Sequence, residues 1–268
     1  MHRKFVSFTT DIGWSEELAM MKAVALQINP DALIINLRHD VPSFDVTEGA
    51  WTLESIAQLP VGYHVCVVDP GVGTSRKAII IKTRRGDYLV GPDNGVLIPA
   101  AERFLGGIEK AVEITNEKYM RKPVSHVFHG RDIFTPAAAW LSKGVRIEEF
   151  GPVIRKGDLA KAPYGEAKVS KGLVSGEIIH INRFGNVFVN VRYDDFLKSG
   201  ITHMDNISIE TAGKRINTKF LKTFGDVPKG NVVAFPDDYG RVEIAVNQGN
   251  FSKKFGTKVR DEVKTRKL

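Results

Sequence analysis

The chain has one cysteine in 268 residues. No internal disulfide framework can form, which excludes the small stapled secreted scaffolds and favours a reducing compartment. That residue, Cys66, lies in the apolar run Val-Cys-Val-Val and reads as a buried small hydrophobe rather than a nucleophile. No apolar run approaches the roughly 20 residues that a membrane helix requires. The basic start is followed by too short an apolar stretch for a secretory signal, so a cytoplasmic protein away from membranes is expected. Internal repeats and low-complexity tracts are absent. The phosphate-cradling glycine signatures are absent too. After Asp69-Pro-Gly-Val-Gly, the third glycine of a dinucleotide fingerprint is replaced by Arg76, and no Gly-Lys-Ser/Thr ending follows. The paired Asp-x-His and Gly-Asn-His signatures of metal-dependent phosphoesterases are also missing, so no metal site is expected.

The composition is that of an ordinary globular protein, 43% apolar and 26% charged. Its length suits one large domain or two modest ones. The net charge of +7 is spread along the chain, with a local excess in the tail from Lys253. It reads as a solvated basic face. No aromatic-basic stripe of the kind that binds single-stranded nucleic acid accompanies it, so no nucleic-acid partner is expected. The order of the last dozen residues is left open by sequence.

Through the first half, strand and helix signals alternate. Strands are expected at 5–10, 32–37, 63–69 and 111–115, with a hairpin pairing 78–82 and 88–90. Helices are expected at 15–28 with Ser15 as N-cap, at 45–59, 95–104 and 132–142. That alternation predicts an α/β domain over 1–160, with a mixed, mostly parallel sheet and helices on both faces. From about Gly165 helical periods are lacking. Short strands at 176–181, 187–191, 207–210, 232–235 and 242–246, separated by Gly, Pro, Asn and Asp, predict an antiparallel β-barrel over 166–268. Pro152, Gly157, Pro163 and Gly165 mark the boundary.

Five clusters could carry chemistry. Thr-Thr-Asp11-Ile-Gly follows the first strand, where ligands bind in open α/β sheets, and a carboxylate there can accept both hydroxyls of a ribose. Asp11 could equally cap the next turn. Asp69 at a strand end, with Arg76 seven residues on, can form a bidentate pair across a glycine loop, whether for catalysis or structure. His129, in Phe128-His-Gly-Arg-Asp132, is suited to proton handling near neutral pH, though packed histidines near helix starts are common. Asp132 reads as a helix N-terminal charge, and Asp93 and Asn94 as a turn capping the next helix. In the second half, Asn182-Arg-Phe184-Gly-Asn186 and Glu243 through Asn247 to Asn250 read as hairpin turns with Gly and Asn at positive-φ positions. Phe184 and Tyr239 are free to stack on a base or to fill a core.

Taken together and in order, these clusters resemble a known family. Thr-Thr-Asp-Ile-Gly at 9–13, the segments at 44–50, 67–76, 91–95, 128–138 and 182–186, and Glu-Ile-Ala-Val-Asn-Gln-Gly-Asn at 243–250 are similar to the successive motifs of the S-adenosylmethionine hydroxide adenosyltransferases, which are relatives of halogenating enzymes using the same substrate. The resemblance implies hydrolysis of S-adenosylmethionine to adenosine and methionine without a cofactor. It implies a homotrimer in which the barrel of one subunit completes the site of its neighbour. It places the water-activating trio on Asp69, Arg76 and His129, which the halogenating relatives lack, and the ribose-binding Asp on Asp11. Phe44 would wall the sugar. Phe184, Asn186 and Asn247 would line the adenine and methionine pockets, and Asp238 and Tyr239 would lie near the methionine carboxylate. Asn94, Phe128 and Glu243 fall in the matching segments as further substrate contacts. One position departs from the pattern. Asn182 stands where the family carries the Asp expected to hold the methionine ammonium, removing a charge-assisted contact of roughly 1.5–3 kcal/mol.

Overall fold

Every residue of Phe-Val-Ser-Phe-Thr-Thr is buried, as a central strand covered on both faces requires. This is β1 (Phe5–Thr10), and it pairs in parallel with β2 (Leu33–Arg38) on one side and β3 (Tyr63–Val67) on the other. The structure, a computed structural model, describes residues 4–268. The sheet continues through β4 (Ala78–Thr83), β5 (Tyr88–Pro92), β6 (Ile108–Glu113) and β7 (Val153–Ile154), in the order β2-β1-β3-β5-β4-β6-β7. The half from β2 to β5 is parallel and the half from β5 to β7 is antiparallel. The reversal comes from the tight connection at Arg85-Gly86-Asp87. Gly86 adopts φ +106°, and Thr83 N donates to Asp87 O at 2.9 Å.

α1 (Glu16–Ile28) and α3 (Thr135–Ser142) cover one face of the sheet. There Met21, Ala25, Phe134, Ala138 and Leu141 pack with Phe8, Val65, Ile80 and Val90. α2 (Val46–Glu54) lies outside that cluster, against β1 and β3, with Ala50 and Leu53 fully buried.

Three expected helices are shorter than their periodicity suggests. The one expected at 45–59 ends at Glu54 and tightens into a 3₁₀ turn over Ser55–Gln58. Of 95–104 only a wide π turn at Ala100–Phe104 forms. The stretch 132–142 starts with another π turn, Gly130–Phe134, before α3. Ser15 occupies the N-cap of α1 in extended conformation, but its hydroxyl makes no capping bond.

A buried chain crosses this sheet. Ser7 Oγ lies 2.7 Å from His64 Nδ1, and His64 Nε2 lies 3.2 Å from Asp87 Oδ1. All three side chains are inaccessible to solvent, so the chain is structural despite its triad-like order. Burial pushes the Asp87 carboxyl up, but hydrogen bonds from His64, Arg85 and the Gly62 amide outweigh it and hold the group below the ordinary carboxylate range.

The chain divides into two compact units between Pro163 and Tyr164. The second unit contains β8 (Lys168–Ser170), β9 (Leu173–Ile181), β10 (Val187–Arg192), α4 (Tyr193–Ser199), β11 (Asn206–Thr211), β12 (Lys214–Lys219), β13 (Val232–Pro236), β14 (Arg241–Val246), α5 (Phe251–Phe255) and β15 (Glu262–Lys267). The strands run antiparallel in the order β12-β11-β15-β9-β10-β14-β13, with β8 on β9. The sheet nearly closes. Leu221 N, just past β12, donates to Ala234 O of β13 at 2.8 Å, and Thr218 Oγ1 donates to Val232 O at 2.6 Å. Val174, Ile178, Val189, Ile207, Ile244 and Val263 fill the interior.

Here the structure decides one point that the sequence left open and corrects two expectations. The tail is ordered, because β15 pairs with both β9 and β11. Its Val263 and Thr265 point inward while charged neighbours face out, so a basic run hid a strand. α4 and α5 are helical but only one to two turns long, too short for a period to register. The segment 247–250 is no hairpin turn. It leads from β14 into α5, with the Asn250 side chain accepting from Lys253 N at 2.7 Å as its cap.

Candidate active site

Five of the sequence-derived candidates, Asp11, Phe44, Asp69, Phe128 and His129, meet around one pocket of about 170 Å³ in the first unit. It lies at the carboxyl ends of β1 and β3, where parallel strands splay and ligands bind. Ile12, Met21, Val67, Val72, Val127 and Gly130 complete the lining. Sequence reasoning passed over these residues, because single apolar side chains look the same in a wall as in a core.

Asp11 does not cap its own turn. Its Oδ2 accepts from Phe44 N at 2.9 Å, across a sequence gap of 33 residues. That bond holds Phe44 at φ +66°, a left-handed conformation costing a non-glycine residue roughly 1–2 kcal/mol. The ring of Phe44 stays largely exposed at the rim. Among the described residues the other Asp11 oxygen, Oδ1, has no protein partner. The next residue, Asp45, caps α2 by accepting from Glu48 N at 2.9 Å.

Asp69 and Arg76 form the bidentate pair that their spacing suggested, nearly out of reach of solvent, with side chains 5% and 8% exposed. Arg76 Nε donates to Asp69 Oδ1 at 3.1 Å, and Nη2 donates to Oδ2. Gly71 N adds a bond to Oδ1 at 3.2 Å. The same Nη2 lies 3.1 Å from His129 Nδ1. A guanidinium can only donate, so Nδ1 must accept and His129 is the neutral tautomer with its hydrogen on Nε2. Burial, and then the neighbouring Arg76 charge, push the His129 pKa below its ordinary value and preserve that tautomer. Arg76 itself stands behind the pocket wall rather than in it. The Asn94 side chain serves the same wall from behind: its Nδ2 donates to Val68 O at 2.8 Å, and its Oδ1 accepts from Val96 N at 3.2 Å. Asp93 does not cap a helix but accepts from Ala160 N at 2.9 Å.

Asp132 is more than a helix-end charge. It is fully buried and holds Arg131 through both oxygens, at 2.7 and 2.9 Å, Arg121 at 3.2 Å and Ser125 N at 2.9 Å. It thereby fastens the segment that carries Phe128 and His129. Arg131 in turn lies 4.7 Å over the Phe128 ring.

His39 supports the floor beside Asp11. Its Nδ1 lies 3.0 Å from Thr10 Oγ1, and its backbone oxygen accepts from Gly13 N at 2.7 Å. Burial, then the Lys22 charge, push its pKa down to about 4. His39, His64 and His129 all have folded pKa values below the ordinary value of 6.5. Between those values and 6.5 the unfolded chain binds protons that the folded one does not. Their contribution to stability is therefore complete above pH 6.5 and is lost as pH falls toward 4. Urea unfolding across that window should show a steady decline, made shallower in a His39→Gln variant. An unchanged slope in the variant would remove His39 from this account.

The remaining candidates lie in the second unit. Asn182, Phe184 and Asn186 share the β9–β10 turn, where Asn182 Oδ1 accepts from Phe184 N at 3.0 Å and Asn186 N at 3.1 Å. Asn186 Nδ2 donates to Glu243 Oε1 at 2.8 Å. Burial raises the Glu243 pKa to about 7. Phe184 is exposed beneath the Arg183 guanidinium at 4.9 Å, and Arg241 lies 4.5 Å from the Tyr239 ring. Asn247 is tied to its own unit, with Nδ2 donating to Val227 O at 2.7 Å. Among the described residues no group of three or more His, Cys, Asp or Glu side chains is arranged to hold a metal ion, and no helix is long and apolar enough to cross a membrane.

A pocket at parallel strand ends, walled by a carboxylate, a guanidinium-clamped aspartate and a neutral histidine, defines an α/β enzyme acting on a small molecule, followed in the chain by a β-barrel. Residues 6–151 match the SAM hydroxide adenosyltransferase N-terminal domain, and residues 176–264 match the C-terminal domain of the same family. The chain belongs to the S-adenosylmethionine hydroxide adenosyltransferase family. It is 35% identical to an (R)-S-adenosyl-L-methionine hydrolase of Salinispora tropica over 97% of each chain. It is 33% identical to a protein of that name from Methanocaldococcus jannaschii, over 96% of this chain and 94% of the other. A fluorinase from Actinoplanes is more distant, 24% identical over 90% of each. A solved structure of an uncharacterized conserved protein from Thermotoga maritima superposes with a TM-score of 0.90 at 37% identity, covering 98% of this chain and all of that one.

Proposed function

We infer that this protein hydrolyses S-adenosylmethionine to adenosine and methionine. The observation that carries the reading is the hydrogen-bonded Asp69–Arg76–His129 trio, whose Asp69 and His129 line one pocket with Asp11 while Arg76 braces them from behind its wall. Water oxygen forms a bond to the ribose C5′ as the C5′–S bond breaks. The bonding pair passes to sulfur, turning the sulfonium into the neutral thioether of methionine, and the water proton is released. The sulfonium is already a good leaving group, so the reading includes neither metal nor redox cofactor. As Asp69 takes the water proton its negative charge is cancelled while the sulfonium loses its positive one, a neutralisation that a site poor in water favours.

The hydrogen bonds divide the labour. His129 has no free lone pair in this tautomer, so it orients by donating from Nε2. Asp69 is the acceptor for the water proton, and Arg76 fixes its rotation. The open Asp11 oxygen supplies an acceptor for the ribose hydroxyls, holding C5′ in line. The hydrolase relatives carry the (R) sulfonium configuration in their names, and we extend that preference to this chain. Turnover in ¹⁸O-labelled water tests the reaction: label in adenosine and none in methionine is expected. Label-free adenosine, or turnover that requires chloride, would overturn it.

The assembly we propose is a homotrimer, with the barrel of one subunit completing the pocket of the next. A small open pocket with Phe44 and Val127 exposed at its rim supports a covering surface, as does the apolar exposed face of α1 at Met20, Ala23 and Leu26. In that assembly the barrel residues Asn182, Phe184, Asn186, Tyr239, Glu243 and Asn247 would serve the adenine and methionine ends. The Asn182 oxygen is already held by its own turn, so its free Nδ2 offers a donor where an ammonium needs an acceptor. Asn182→Asp would keep both turn contacts and add the missing charge. It should lower KM by about 10-fold or more with kcat little changed. An unchanged KM would mean that the ammonium is held elsewhere.

A further inference from the structure

The Arg76 guanidinium has five N–H groups. Nε uses one on Asp69, and Nη2 uses its two on Asp69 and His129. Nη1 is buried and has no hydrogen-bond partner. Leaving a charged donor unpaired in a dry site is costly, so something else must hold that end of the group. Its neighbour is the Phe134 ring, whose centroid lies 5.2 Å from the guanidinium carbon. Phe134 is fully buried and closes the π turn Gly130–Phe134, in which Thr135 N donates to Gly130 O. The extra residue of that turn puts His129 at one end of a rigid unit and Phe134 at the other, with Arg76 in contact with both.

We propose that Phe134 is a positioning residue for hydrolysis, its ring face holding the Arg76 guanidinium so that one nitrogen spans Asp69 and His129 together. The inference deepens the function proposed above and rests on it. The negative face of the ring attracts the cation and accepts weakly from N–H groups, which a bulky aliphatic side chain cannot do. Phe134 is fully buried and does not line the pocket. It acts through Arg76.

The test replaces Phe134 with mono-, di- and trifluorinated phenylalanine, which drains the ring face of negative charge while nearly preserving shape. Phe134→Leu is made alongside. Expected is a graded fall in kcat reaching roughly 3- to 30-fold, with KM for S-adenosylmethionine unchanged. The His129 pKa, followed by NMR, should rise across the series as Arg76 loosens from Nδ1. A packing role alone would leave both kcat and the His129 titration flat across the fluorinated series, and that result overturns the proposal. If the wild-type protein fails to turn over S-adenosylmethionine, the functional reading fails. The His129 titration still decides whether the ring holds Arg76.

Discussion

Asp69→Asn is expected to lower kcat for hydrolysis by about 10³-fold while KM stays near its wild-type value. The amide has nearly the shape of the carboxylate, so substrate still meets the same wall. It cannot take a proton from water, and it offers Arg76 one acceptor oxygen where the carboxylate offers two. The pair is almost entirely out of solvent, so the guanidinium left behind is poorly compensated. Removing one partner from such a pair costs about 3–5 kcal/mol, which should appear as a clear fall in melting temperature. Steady-state kinetics and thermal unfolding on one preparation separate the two effects. A variant retaining more than about a tenth of wild-type kcat would show that Asp69 is not the proton acceptor.

Gly73→Ala should cost about 10²-fold in kcat without touching any group in the pocket. Gly73 has φ +76°, and an added Cβ would lie 2.4 Å from the backbone oxygen of His126. A carbonyl in the main chain cannot rotate aside as a side chain can. The loop carrying Asp69 and Arg76 must then part from the segment carrying His129, and the 3.1 Å contact between Arg76 and His129 is the first to stretch. Gly71→Ala is the control. There the nearest contact would be an ordinary 3.4 Å to Arg76 Cβ, and the backbone is not left-handed, so near-normal activity is expected. Equal losses in both variants would refute close loop packing as the cause.

Sequence alone determined a good deal of this protein. Strands such as Phe5–Thr10 announce themselves as short runs of aromatic and β-branched residues, and the Gly86 turn announces the hairpin that reverses the sheet. The seven segments that carry the family resemblance are likewise local, because each is a short stretch whose chemistry depends on its own residues. The Asp69–Arg76 pair was legible for the same reason, since both residues sit in the one loop that joins β3 to β4. What only the tertiary structure decided depends on distance in the chain. That Asp11 bonds Phe44 rather than its own turn, that Arg76 reaches His129 53 residues away and so sets its tautomer, and that Phe134 lies beneath the guanidinium are long-range juxtapositions. The strand in the basic tail belongs with them. A run of charges with two inward residues becomes a strand only because β9 and β11 leave a gap whose backbone groups must be paired. Periodicity reports the face a segment offers, and only the assembled sheet supplies the partner for it.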